Sequence, residues 1–170
     1  MMRSPMQQSR LFAILAVSAL SLAMAAGEAM AQGKRINKQQ LVGTWKLVSA
    51  DTAVFGQNPK GILVFDRNGN YSLTIMRSDL PKLAAAAAGK GTAEENQAVM
   101  AGMVTSFGTY SLNEADKTIT THVEGSSYPN LAGGEQRRVI SSLTGDELKY
   151  NNPTAVFGAP NAATVWRRAK

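Results

Sequence analysis

From residue 44 onward, hydrophobic and polar positions alternate in short runs separated by turn residues. That is the period-2 signature of strands, whose successive side chains face opposite ways. Thr44 to Asp51 is the first predicted strand and Gly61 to Phe65 the second. The turn Asp66-Arg67-Asn68-Gly69-Asn70 follows. Its Asn-Gly pair signals a tight hairpin in which both central positions take positive φ. Tyr71 to Arg77 is the third strand, with Tyr71, Leu73 and Ile75 on its more apolar face.

The alternation then breaks. Ser78 to Ser106 holds a proline, the alanine run Ala84 to Ala88, and the glycines Gly89 and Gly91. Thr92-Ala93-Glu94-Glu95 has the form of a capping box, and Val99, Met100, Met103, Val104 and Phe107 fall at helical spacing. This predicts a helix from about Ala93 to Val104. Its apolar face either packs on a barrel wall or serves as a lid with Met100 and Met103 as adaptable contacts. Strands resume at Phe107 to Leu112, Lys117 to Glu124, Gln136 to Leu143, Glu147 to Asn151 and Ala163 to Arg168. Eight short strands joined mostly by hairpins predict an all-β, up-and-down antiparallel barrel with one helical insertion between strands three and four. A barrel of about eight strands is just wide enough for one small ligand.

The amino terminus changes the picture of where this barrel works. Arg3 and Arg10 precede the apolar run Leu11 to Ala26, and Ala29-Met30-Ala31 is a small-x-small cleavage signal. Residues 1–31 therefore read as a secretory signal peptide, and the mature domain as residues 32–170. The apolar run is shorter than the ~20 residues a spanning helix needs, so no stable membrane anchor is expected. The expected location is outside the cytoplasm, periplasmic or secreted. The chain has no cysteine, which excludes disulfides, thiol catalysis and cysteine metal sites.

The whole chain carries a net charge of +6; without Arg3, Arg10 and Glu28, sixteen basic and eleven acidic residues leave +5. The basic residues are scattered rather than interleaved with aromatics, so nucleic acid is not an expected partner. One histidine, no cysteine and dispersed acids make neither a metal site nor a cofactor expected.

The chain also resembles a known family. Leu41-Val42-Gly43-Thr44-Trp45 looks like the opening of a lipocalin, where Gly-x-Trp begins the first strand. Val165-Trp166-Arg167-Arg168 resembles the closing strand, which implies that Arg168 or Arg167 lies over the Trp45 indole. The segments NPKGILVFDRNGNYSLTIMR, FGTYSLNEADKTITTHVEGSSYPN and GDELKYNNP are similar to the bacterial and fungal lipocalin-like domain family. The resemblance covers nearly all of Leu41 to Lys170. Unlike secreted animal lipocalins, the chain has no disulfide and carries a helix between strands three and four. Some relatives with such barrels are thought to act as isomerases or cyclases.

The candidate chemistry centres on His122, the only histidine, and Glu124 two residues on. On a strand these two share a face. If strand five pairs with strand six, Glu124 lies near Gln136 and Arg138. Tyr71 groups with Arg77 by the same parity, and Tyr150 sits on strand seven. With these faces inward, Leu47, Leu73, Ile75, Ile140 and Leu148 form apolar walls around a polar group of Arg77, His122, Glu124, Arg138 and Tyr150. Against that inward assignment, Ile119, Thr121 and Val123 form the more apolar face of strand five.

Three readings follow. In the first, Glu124 and Arg138 only neutralise each other within a filled barrel, and the protein is an interaction module. In the second, the barrel binds a small apolar or amphipathic molecule, with Arg77 or Arg138 holding a carboxylate or phenolate. In the third, the protein is a cofactor-free isomerase or cyclase, with His122 as base, Glu124 orienting it and Arg77 stabilising an enolate. Ligand binding is the leading expectation.

Overall fold

The period-2 segments form eight strands, each hydrogen-bonded to its neighbours in sequence. In the computed structural model, which describes residues 35–85, 87, 90–154 and 158–170, they are β1 (Gly43–Ser49), β2 (Lys60–Phe65), β3 (Asn70–Met76), β4 (Met103–Asn113), β5 (Thr118–Ser126), β6 (Glu135–Leu143), β7 (Glu147–Asn151) and β8 (Ala163–Arg168). All pairs are antiparallel, and β8 closes back on β1 with Trp45 opposite Arg168. Among the described residues, three short α-helices accompany them, α1 (Lys38–Leu41), α2 (Thr52–Phe55) and α3 (Ala93–Ala101), with one 3-10 turn at Pro129–Leu131. The expected signal peptide, residues 1–31, lies outside the described residues.

Alternation sorts the strands into a buried and a solvated face. Leu63 and Phe65 of β2, Tyr71, Leu73 and Ile75 of β3, and Ile119, Thr121 and Val123 of β5 are buried, as are Arg138 and Ile140, Leu148 and Tyr150, and Thr164 and Trp166. One end of the barrel is closed. The Asn37 side chain caps α1, which brings Leu41 under the barrel, and the Trp45 indole N–H donates to the Leu41 carbonyl at 2.9 Å. Phe65 and Tyr110 pack with ring centroids 4.6 Å apart at the same end, and the Lys38 ammonium lies 4.9 Å from the Tyr110 ring. Arg168 seals this end: its guanidinium sits 4.1 Å from the Trp45 ring and donates to the carbonyls of Gln40, Val42 and Gly145.

Several local expectations are corrected. The helix stops at Ala101, not Val104, because Gly102 caps it, donating its N–H to Ala98 and Val99. Met103 to Phe107 belong to β4 instead, with Val104, Ser106, Gly108 and Tyr110 buried on alternate positions. A spacing of four residues fits both a helical face and a strand face, so Val99, Met103 and Phe107 could not separate the two periods. The β2–β3 turn also differs from a two-residue hairpin. Gly69 takes φ +95°, Asn68 is not among the residues with positive φ, and the Asp66 carboxylate accepts from the Asn70 N–H at 2.7 Å. A carboxylate bridging the turn replaces the second strained position. The short helices α1 and α2 were not expected from periodicity. Each spans one turn, too short for a face to repeat, and each is held by an Asn or Asp cap.

Bulges interrupt strict parity in three places. The β4–β5 register shifts between Phe107 and Gly108, so that Gly125 and Val123 face consecutive residues and Glu124 is the extra one. Shifts of the same kind occur between Leu47 and Ser49 in β1 and between Ile140 and Ser142 in β6. Each bulge turns the following side chains to the opposite face.

Candidate functional site: a cavity at the open end of the barrel

The end opposite Trp45 and Arg168 is open, and a cavity enters the barrel there. Its wall is built from strand ends that meet at that rim: Leu73 and Ile75 of β3, Val104 and Ser106 of β4, Gln136 and Arg138 of β6, Tyr150 of β7 and Thr164 of β8. Ala50 and Asp51 follow β1 into α2, which folds Phe55 over the mouth; Leu131, Asn152, Thr154 and Ala162 complete the rim. The cavity volume is about 70 Å³, inside an envelope of about 690 Å³ that extends into the open mouth.

The cavity is apolar on the β3–β4 side and polar on the β6–β7 side. Arg138 is only 9% exposed. Its Nη1 donates to Thr121 Oγ1 at 2.8 Å, and its guanidinium lies 5.7 Å from the centre of the Tyr150 ring. Burial pushes the Tyr150 phenol up from its ordinary pKa of 10; the adjacent Arg138 cation and Trp166 indole N–H offset this only partly. Tyr150 is therefore a neutral hydroxyl at physiological pH. The Trp166 Nε1–H is buried, with only a weak interaction with the Tyr150 hydroxyl to satisfy it. The Tyr71 hydroxyl donates to Ser106 Oγ at 3.3 Å and so fixes one polar group of the opposite wall.

Asp51 latches the mouth. Its carboxylate caps α2 by accepting from the Ala53 N–H at 2.9 Å and accepts from the Ala159 N–H at 2.7 Å, tying α2 to the segment that leads into β8. The Ala159 bond, then the Ala53 bond, lowers its pKa from the usual 3.8. A depressed carboxyl stabilises the folded form fully above the unfolded value of 3.8, and that contribution is lost as the pH falls through the lower folded value. Amide exchange at Ala159, corrected for its intrinsic rate, is expected to stay slow down to about pH 4 and to quicken below it. In Asp51→Ala it should be fast at every pH; slow exchange in that variant would mean that other bonds hold the rim.

The expected polar group is only partly assembled. Arg138 and Tyr150 face the cavity, and Tyr71 reaches it through Ser106. His122 and Glu124 do not face it. Both are exposed on the outer surface of β5, because Ile119, Thr121 and Val123 take the buried positions. Arg138 stands opposite Ile119 and Gln136 opposite Thr121, so the expected Glu124–Arg138 pair is not formed. The catalytic arrangement of His122, Glu124 and Arg77 around one ligand is corrected accordingly. Arg77 lies just beyond β3, where its parity would turn it inward, but it leaves the barrel. It pairs with Asp79 through two bonds of 2.8 Å and points Nη1 at the Val54 carbonyl, lining a separate outer groove between α2 and α3.

Of the expected apolar walls, Leu73 and Ile75 line the cavity, Ile140 and Leu148 lie in the surrounding core, and Leu47 packs against that core from a partly buried position. Helix α3 contributes no residue to the cavity; Ala98 and Ala101 line the outer groove, and Met100 is exposed. Asp51, Ser106, Asn152 and Thr164 were not expected to line the site. Ser106 was hidden by the misplaced helix end. Asp51, Asn152 and Thr164 sit at or beyond strand ends, where alternation carries no signal. No group of three or more His, Cys, Asp or Glu that could hold a metal occurs among the described residues.

Residues 42–169 match the lipocalin-like domain family. A lipocalin-like protein from Bacteroides uniformis is similar at 18% identity, over 76% of this chain and 99% of that one, with a TM-score of 0.43. No match was found among curated proteins. With the barrel closed over eight strands and the family match spanning three quarters of its length, the chain belongs to the lipocalin-like domain family.

Proposed function

We propose that this protein is an exported binder of a small apolar or amphipathic molecule, held in the open end of its barrel. The observation that carries the reading is the cavity itself: largely apolar along β3 and β4, where Ser106 is the polar exception, with Gln136, Arg138 and Tyr150 at set positions on the facing wall. Small-molecule sites have this composition, a mainly apolar lining with a few placed polar groups. The barrel is not filled by its own side chains at this end, which favours binding over a purely structural module. Export rests on the amino-terminal pattern, which places the mature start at Gln32.

Native mass spectrometry of the protein purified from its own host, without detergent, tests both parts. The expected spectrum has a polypeptide mass beginning at Gln32 and a discrete added mass that solvent extraction removes. Val104→Trp, which fills the cavity, should abolish the adduct while the barrel stays folded. An apo spectrum, together with no response of tryptophan fluorescence to apolar probes, would count against binding.

A further inference from the structure

We propose that the ligand is a compact monocarboxylate, which enters acid end first and places its carboxylate on Arg138. This deepens the binding reading above and rests on it. Three arginines of the barrel are removed from full exposure, and their partners differ. Arg77 is paired with Asp79, and Arg168 donates to three backbone carbonyls. Arg138 is the most buried of them, yet its hydrogen bond goes to a neutral hydroxyl, Thr121 Oγ1. Among the described residues no carboxylate lies within ion-pair distance of it. A guanidinium has five N–H donors and no acceptor, and a buried charge is tolerated when it is paired. Its immediate neighbours Thr121, Gln136 and Tyr150 are neutral, so they offer it dipoles and no opposite charge. Burial holds Tyr150 in its neutral form, so it supplies no negative charge.

The missing partner is therefore an anion with acceptor oxygens. A planar carboxylate matches the guanidinium fork with two parallel bonds. Arg138 is the one cation of the lining, and the Asp51 carboxylate at the rim is bound to the Ala53 and Ala159 N–H groups, so the site fits one negative charge, not two. Size sets the orientation. The cavity volume of about 70 Å³ is smaller than the roughly 150 Å³ that accepts one benzene ring. It holds a headgroup, and the apolar body lies against Leu73, Ile75 and Val104 toward the mouth under Phe55. A short-chain or single-ring carboxylate satisfies both limits, and a long acyl chain would extend out into solvent.

Calorimetric titration of the full mature protein, stripped of any native adduct, with octanoate and benzoate and with their neutral amides octanamide and benzamide tests this. The wild type is expected to bind at least one acid about tenfold or more tighter than its amide. Arg138→Met should bring that ratio to about one, and Arg138→Lys should keep part of the preference. Thermal melts of each variant separate loss of binding from loss of fold, and the wild-type ratio and the lysine variant stand even if the methionine variant does not fold. Equal binding of acid and amide by the wild type, or an acid preference that survives Arg138→Met, would overturn the carboxylate assignment and leave the binding reading intact. Binding of neither series, with the cavity shown to be empty, would overturn both.

Discussion

Gly108→Ala is expected to destabilise the barrel by about 3–5 kcal/mol, a large part of the stability of a domain this size. Gly108 has φ +152°, and a Cβ there would stand 2.1 Å from the His122 carbonyl oxygen and 2.8 Å from the Glu124 nitrogen. Both neighbours are backbone, so no flexible side chain can move aside. Relief requires β4 and β5 to part at the bulge, where the extra residue Glu124 already interrupts their pairing. Every strand in a closed barrel also pairs on its other edge, so the displacement spreads to Tyr71 of β3, opposite Gly108. Denaturant unfolding should show a lower midpoint, and amide protection should fall first along β4 and β5. Gly145→Ala is the matched control. Nothing lies within 4 Å of its added Cβ, and a change within about 0.5 kcal/mol is expected. Equal stability of the two variants would mean that the barrel tolerates a side chain at the bulge.

The second large effect belongs to the closed end. Arg168→Ala is expected to cost about 3–5 kcal/mol, through lost charge-assisted hydrogen bonds and the lost contact with Trp45. The guanidinium serves the carbonyls of Gln40 and Val42 at 2.7 and 2.8 Å and that of Gly145, which joins α1, the start of β1 and the β6–β7 turn. Removing it leaves several carbonyls without their donor at once. Arg168→Lys keeps the charge but not the planar fork, so it should recover only a minority of the loss. The same packing explains Gly43: a Cβ there would sit 2.5 Å from Arg168 Nη1, so the glycine before Trp45 makes room for the arginine. Thermal unfolding measures the effect, with a fall in Tm on the order of 10 °C expected for the alanine variant. A shift of only a degree or two would reduce Arg168 to a surface contact.

The two ends of the barrel were unequally legible. At the closed end, Gly43, Trp45 and Arg168 are close to the chain termini of the domain, and a family resemblance supplied their meeting. Arg167 remained an alternative until the pairing of Trp45 with Arg168 decided between them. At the open end, the site depends on which face of β5 and β6 turns inward. His122 and Glu124 carry chemistry, and that attracted attention to them. Hydrophobicity was the better guide, since Ile119 and Val123 outweigh them in transfer free energy and take the buried face. Arg138 was legible as a candidate but not as the unpaired one, because its expected partner Glu124 is lost to the outer surface.

Alternation and turn chemistry alone determined that this chain makes eight consecutive antiparallel strands with a helix between the third and fourth. Those signals are local, acting over a few residues, and they survive in any barrel the strands can form. Only tertiary structure decided where the helix ends, which parity faces inward beyond each bulge, and which polar groups share the cavity. Those outcomes depend on register between strands, on a glycine such as Gly108 that admits a neighbour's backbone, and on burial summed over the whole barrel. A buried guanidinium without a carboxylate is visible only once all the walls around it are in place.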